Sequence, residues 1–125
     1  LVAPTTTEAR LDRMAPLAGG FIYYVSLKGV TGSASLNADD LAPSVAAIRA
    51  RSELPVAVGF GISTPEQAET VGAVADAVVI GSALVRKLDG AETHEAAAAI
   101  ILEYMGGIRA ALDRHESASP AEASA

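Results

Sequence analysis

Two glycine-rich turns constrain the possible folds of this chain more than any other feature. They occupy residues 59–63, GFGIS, and 81–83, GSA, and each follows a short apolar run and precedes a helical stretch. Because a glycine turn between a strand and a helix directs backbone N–H groups and the positive helix N-terminus at one point, each turn indicates an anion site. Two such turns on successive strands can hold one phosphate between them, as after strands 7 and 8 of a (β/α)8 barrel.

Strand and helix signals alternate along the chain. Strands are predicted at 1–3, 21–26, 54–58 and 77–80, and helices at 5–18, 39–51, 64–72, 82–88 and 93–114. Almost wholly apolar strands are typical of a sheet that helices cover on both faces, and the alternation predicts parallel pairing with right-handed crossovers. The predicted fold class is α/β, as half of a (β/α)8 barrel or as a small open sheet. We expect this domain at 1–116 and a small, polar, disordered tail at 117–125.

Local signals predict where some helices begin and bend. Thr5 and Glu8 have the spacing of a capping box at the start of the first helix. The segment 64–67, TPEQ, supplies an N-cap, a proline at the first helical position and a glutamine three residues after the cap. The glycine pair at 106–107 costs about 1 kcal/mol per residue relative to alanine, and it predicts a kink in the last helix.

Composition argues against several classes of function. The formal net charge is −6 and no basic stripe is visible, which argues against a nucleic-acid partner. The absence of cysteine excludes disulfides, thiolate chemistry and cysteine metal sites. No apolar run is long enough for a membrane span and no secretory signal is visible, so we expect a cytoplasmic protein with no membrane contact.

Length gives one further expectation. A (β/α)8 barrel needs about 250 residues, whereas this chain has 125, so we expect it to be the C-terminal part of a longer protein. An isolated half-barrel leaves two open strand edges and an apolar face, and we therefore expect the isolated chain to dimerise or to be partly disordered.

Four motifs in this order closely resemble the tryptophan synthase alpha chain: YYVS at 23–26, GVTG at 29–32, GFGISTPEQ at 59–67 and GSALV at 81–85. The resemblance covers about residues 1–114. It implies the C-terminal half of a (β/α)8 barrel. It also implies a lyase that cleaves indole-3-glycerol phosphate to indole and glyceraldehyde 3-phosphate in tryptophan biosynthesis.

The resemblance also implies roles for particular residues in binding the substrate phosphate. Gly32, Gly61, Gly81 and Ser82 would donate backbone N–H groups to it, and the Ser82 hydroxyl would join them.

Three more residues receive roles from the resemblance alone. Phe60 would pack against the indole ring, Tyr23 would lie near the catalytic carboxylate, and Thr31 would lie on a loop that closes over the substrate. The two catalytic acids of the family have no counterpart here, so no catalytic acid is assigned and the chain alone is expected to be inactive. The resemblance implies no cofactor or metal in this chain, and a beta subunit partner that carries pyridoxal phosphate and joins the alpha subunit in an α2β2 heterotetramer.

Simpler hypotheses stay open. The chain could be a non-catalytic half-barrel that binds a phosphorylated metabolite, or another phosphate-binding barrel such as a sugar-phosphate isomerase, although the motifs argue against the second. Gly59 and Gly61 could serve a tight turn without a ligand, and Phe60 could be a core aromatic. Tyr23 and Tyr24 alternate along a strand, so one should face the barrel interior and the other the helix layer.

Overall fold

The computed structural model describes residues 1–26, 37–59 and 61–118, with the backbone alone at 115–118. The elements are α1 Glu8–Met14, a 3₁₀ turn Ala15–Leu17, β1 Ile22–Val25, α2 Ala38–Arg49, β2 Val56–Gly59, α3 Pro65–Gly72, β3 Ala77–Val79, α4 Ser82–Leu88 and α5 His94–Ala118. The predicted alternation of strands and helices is confirmed.

The described strands form one parallel sheet in the order β1-β2-β3. Val2 adds a parallel bridge to Tyr24 on the free side of β1. Its N–H donates to the Tyr23 carbonyl at 2.8 Å, and its carbonyl accepts from the Val25 N–H at 2.8 Å. The predicted first strand is therefore present as a single bridge, and all four chain segments run in the same direction, as right-handed β-α-β units require.

The core lies between one face of the sheet and the helices that cover it. Its buried side chains come from alternate strand positions and from the inner faces of α2 and α3: Ile22, Tyr24, Leu41, Val45, Ile48, Val56, Val58, Ala68 and Val71. Burying a valine or isoleucine side chain contributes about 1.5–3 kcal/mol. The hydroxyl of Tyr24 enters this layer and donates to Ser44 Oγ at 3.2 Å.

The first helix begins later than predicted. The capping box predicted at Thr5 and Glu8 is wrong, because Thr7 is the N-cap and its Oγ1 accepts from the Arg10 N–H at 3.3 Å. The preceding Thr6 is held in a tight turn. Its N–H donates to the Ala3 carbonyl at 2.8 Å, and its Oγ1 accepts from the Ala3 N–H at 3.0 Å. That turn must close before helical geometry can start, so the last of three consecutive threonines becomes the cap.

The last helix is continuous through the glycine pair that predicted a kink, and it extends to Ala118. It packs along α3, where a Cβ at Gly72 would lie 2.6 Å from Leu112 Cδ2. Ile108 and Ala111 are buried. Small residues at this crossing allow the two helices to approach closely, and this packing offsets the low helix propensity of glycine. Residues 119–125 of the predicted tail lie outside the described residues.

Exposed apolar side chains lie beyond both sides of the sheet. Leu1, Leu17 and Phe21 border a cleft of about 270 Å³ beside the Val2 bridge. Val85 and Leu102 are exposed on α4 and α5, the helices that follow the outer strand β3. These surfaces agree with the expectation of open edges. Within the described ranges, no helix combines the length and apolarity needed to cross a bilayer.

Candidate functional site

The two glycine turns leave the sheet at the same edge. β2 ends at Gly59 and β3 at Val79, and these two residues are paired in the parallel register. Neighbouring strands lie about 4.8 Å apart, so the turns that follow them start side by side at the carboxyl ends of the strands. Gly61, Gly81 and Ser82 are all exposed there. The structure therefore brings together these three predicted site residues.

The backbone of each turn leaves donors available. Gly61 has a φ of +74°, a conformation that favours glycine. Gly81 is the N-cap of α4 and provides no side chain to cap it. Within the described part of the chain, the N–H groups of Gly61 and Gly81 donate to no other residue. These N–H groups, with the positive end of α4, can donate to a bound anion.

The start of α3, in contrast, is closed by its own side chains. Thr64 Oγ1 accepts from the Gln67 N–H at 3.2 Å, as the sequence predicted. Gln67 Oε1 accepts from the N–H groups of Ser63 at 2.8 Å and Thr64 at 3.2 Å, and from Ser63 Oγ at 3.2 Å. The capping box thus holds the end of the first turn in place. Because its N–H groups are already bonded, anion binding is left to Gly61 before it and to Gly81 of the second turn.

Sequence reasoning missed a residue that contacts this turn from another helix. Tyr104 of α5 donates its hydroxyl to the Ser63 carbonyl at 2.8 Å. Burial raises the pKa of this phenol above its ordinary value, against an opposing effect of Arg86, so the hydroxyl stays protonated as a donor at neutral pH. The ammonium of Lys87 lies 4.8 Å from the centre of the same ring. Ser63 and Lys87 both lie far from Tyr104 in the sequence, so no local pattern around Tyr104 indicates these contacts.

The two tyrosines of β1 face opposite sides of the sheet, as predicted. Tyr24 enters the helix layer, whereas Tyr23 lies half-buried on the other face. The Tyr23 ring covers Gly59: a Cβ there would lie 2.6 Å from Tyr23 Oη, 2.8 Å from Tyr23 Cε2 and 2.9 Å from Val79 Cβ. Gly59 is therefore needed to make room for Tyr23 at the end of β2. This is a packing role that the sequence interpretation of the turn did not include.

The remaining predicted site residues, Thr31, Gly32 and Phe60, lie outside the described residues. Among the described residues, two carboxyl groups have a lowered pKa. That of Glu66 is lowered mainly by its own backbone N–H, and that of Asp76 by the Val56 N–H and Arg49. Asp76 precedes β3 and so lies at the amino edge of the sheet, away from the glycine turns. Neither group has the raised pKa expected of a proton donor at neutral pH.

Parallel strands alternating with helices, with two glycine turns at the carboxyl ends of adjacent strands, define a partial (β/α)8 barrel with a candidate anion site. A family model described as tryptophan synthase alpha chain matches residues 1–113. The chain belongs to the tryptophan synthase alpha chain family.

Individual relatives agree with this assignment. The tryptophan synthase alpha chain of Alkalilimnicola ehrlichii is 54% identical over 114 residues, which are 90% of this chain and 42% of that protein. The alpha chain of Neisseria meningitidis serogroup B is 48% identical over 111 residues, which are 87% of this chain and 42% of that protein. The crystal structure of the Legionella pneumophila alpha chain matches with a TM-score of 0.69 and 33% identity, covering 90% of this chain and 40% of that one. The chain thus spans about two fifths of the length of these relatives.

Proposed function

We propose that this chain provides the phosphate-binding part of a lyase that cleaves indole-3-glycerol phosphate to indole and glyceraldehyde 3-phosphate. The observation that carries the proposal is the pair of glycine turns at the carboxyl ends of β2 and β3, in a chain of the tryptophan synthase alpha chain family. A phosphate at this edge would bind backbone donors instead of basic side chains, which suits a protein of net charge −6.

In this proposal Gly61, Gly81 and Ser82 hold the substrate phosphate. The left-handed backbone of Gly61 lets its peptide group approach a ligand without a side chain in the way. Gly81 and Ser82 contribute the N–H groups at the uncapped start of α4, and Ser82 can add its hydroxyl. Gly32 is proposed as a further donor on the family motif alone.

The carbon–carbon cleavage needs groups beyond those that hold the phosphate. A carboxylic acid must protonate the indole ring carbon, and a carboxylate must stabilise the developing charge at the indole nitrogen. The hydroxyl on the adjacent side-chain carbon must give its proton to a base, so that the C–O bond becomes the aldehyde C=O of glyceraldehyde 3-phosphate as the carbon–carbon bond breaks. No Asp or Glu of this chain is assigned to any of these roles. Tyr23, on the sheet face opposite the packed core, is proposed to support the carboxylate, with Phe60 and Thr31 contacting the substrate.

The proposed partner is a tryptophan synthase beta subunit, which would receive the indole and carry pyridoxal phosphate. We propose that this chain needs no cofactor of its own. We also propose a cytoplasmic location, where a phosphorylated biosynthetic intermediate would be available. The cleavage is acid–base chemistry, and the residues proposed for this chain bind and orient the substrate for it.

A chimera tests the activity. The N-terminal part of the Alkalilimnicola ehrlichii alpha chain, up to the start of its matched region, would be joined to this chain. We expect the chimera to release glyceraldehyde 3-phosphate from indole-3-glycerol phosphate, measured by a coupled dehydrogenase, and the 125-residue chain alone to release none. A folded chimera without turnover would contradict the proposed function.

A matched pair of glycine variants tests the phosphate site in the chimera. Gly61 and Gly20 have similar positive φ angles, +74° and +78°, so replacement by alanine causes similar backbone strain. Only Gly61 lies at the proposed site, because Gly20 precedes β1 at the opposite edge of the sheet. Alanine keeps the backbone N–H, but its Cβ blocks the approach of the phosphate and its strained φ displaces the donor. We expect Gly61→Ala to raise KM about tenfold, as for a hydrogen bond to a charged group that can no longer form, and Gly20→Ala to leave KM unchanged. Equal KM values for the two variants would contradict the assignment.

A further inference from the structure

Tyr104 makes contacts on two elements that belong to the proposed phosphate site. Its hydroxyl donates to the Ser63 carbonyl at 2.8 Å, and Ser63 lies two residues after Gly61 in the first turn. This bond joins groups 41 residues apart, so it connects the turn to a separate helix instead of closing the turn on itself. It lies partly buried, where competition from water is reduced.

The ring of Tyr104 provides the second contact. Lys87 of α4 places its ammonium 4.8 Å from the ring centre, within the range of a cation–π interaction. α4 begins at Ser82, directly after Gly81 of the second turn. One side chain therefore contacts the residue that ends the first turn and the helix that begins at the second.

The helix that carries Tyr104 is itself fixed on the core. α5 packs along α3 through the buried residues Ile108 and Ala111, and through the close contact of Leu112 with Gly72. α5 also packs on α4, so Tyr104 lies where a helix anchored on α3 meets the helix that follows the second turn. Movement of either turn would therefore stretch a contact with α5.

We propose that Tyr104 is a positioning residue for the phosphate site, which holds the two glycine turns in one fixed arrangement through its bond to Ser63 and its stacking on Lys87. The inference deepens the proposed function and rests on it for the identity of the ligand. Tyr104 does not contact the phosphate. It reduces the freedom of the backbone donors that do, and so increases their affinity by preorganisation.

The variant Tyr104→Phe tests the proposal, because it removes the hydroxyl and keeps the ring below Lys87. The control is Tyr24→Phe, which removes another tyrosine hydroxyl, bonded to Ser44 in the helix layer. Inorganic phosphate would be titrated by NMR into the chimera with the N-terminal part of the Alkalilimnicola ehrlichii alpha chain, and urea titration would give the stability of each variant. We expect Tyr104→Phe to weaken phosphate binding about three- to tenfold, the effect of one lost hydrogen bond. We expect Tyr24→Phe to lower the stability by a similar amount but to leave phosphate binding unchanged.

Amide exchange separates failure of this inference from failure of the proposed function. The N–H groups of Ser63 and Thr64 are protected by Gln67, and we expect Tyr104→Phe, without ligand, to speed their exchange about three- to tenfold relative to the core amides. Unchanged exchange at these two amides would overturn the positioning role. Wild-type protein that binds no phosphate would instead overturn the phosphate site, while faster exchange in the variant would still support the contact of Tyr104 with the turn.

Discussion

The substitution Gly59→Ala should destabilise the protein although it adds a single methyl group to a strand. The new Cβ would lie 2.6 Å and 2.8 Å from two atoms of Tyr23 and 2.9 Å from Val79 Cβ, whereas carbon atoms in contact prefer about 3.5–4.0 Å. Overpacking of this kind costs about 1–3 kcal/mol, and replacing glycine by alanine in a strand returns about 0.5–1 kcal/mol. The expected net loss is about 0–2.5 kcal/mol of unfolding free energy, centred near 1 kcal/mol.

The two contacts differ in how easily they can relax. The Tyr23 ring is half-buried and can move outward, but Val79 Cβ is attached to the backbone of β3 and can move only with the strand. Truncation of the ring in the double variant Tyr23→Ala, Gly59→Ala should therefore recover part of the loss and leave the rest. A double-mutant cycle would show this as an interaction energy between the two positions.

Urea denaturation followed by circular dichroism measures these differences. The control is Gly19→Ala, because a Cβ at Gly19 meets no atom within 4 Å. That variant should be as stable as the wild type or slightly more stable. If Gly59→Ala matched Gly19→Ala in stability, or if Tyr23→Ala left the effect of Gly59→Ala unchanged, the close packing of Tyr23 over Gly59 would be wrong.

Two further predictions concern the contributions of Asp76, before β3, and of Thr64, the N-cap of α3, to the stability of the fold. The pKa of Asp76 is lowered by the Val56 N–H and by Arg49. Its carboxylate therefore stabilises the fold at pH values above the ordinary aspartate pKa of about 4. This stabilisation is lost as the pH falls from there through the lower pKa of the folded state. The stability advantage of wild type over Asp76→Asn in urea titrations should shrink below about pH 4, and a constant advantage there would contradict this. Thr64→Ala should cost about 1 kcal/mol by removing the N-cap of α3, and an unchanged urea midpoint would show that Gln67 caps the helix alone.

Features governed by neighbouring residues were predicted well. The segment 64–67 starts α3 with the predicted N-cap and first-turn proline, and α4 has the predicted bounds Ser82–Leu88. The α/β alternation and the opposite faces of Tyr23 and Tyr24 also followed from local patterns. In each case a cap, a glycine or the two-residue period of a strand is enough to determine the outcome.

Features that depend on distant residues were missed or wrong. Three consecutive threonines offer similar caps, and the turn back to Ala3 selects Thr7. The expected interruption of the last helix at the glycine pair 106–107 is wrong, because α5 continues through it and packs against α3, which offsets the low helix propensity of glycine; the kink stays a prediction. The contacts of Tyr104 with Ser63 and of Tyr23 with Gly59 join residues far apart in sequence. A periodic pattern carries no information about such pairs.

The proposed phosphate site itself can be tested by titrating inorganic phosphate into the ¹⁵N-labelled chimera with the N-terminal part of the Alkalilimnicola ehrlichii alpha chain, and following the backbone amides that this chain contributes. The amides of Gly61, Gly81 and Ser82 should shift together along one saturation curve, while that of Gly20 at the opposite edge of the sheet stays constant. If those three amides did not move, or if the largest shifts lay at the arginines of α1, Arg10 and Arg13, the two glycine turns would not form a phosphate site.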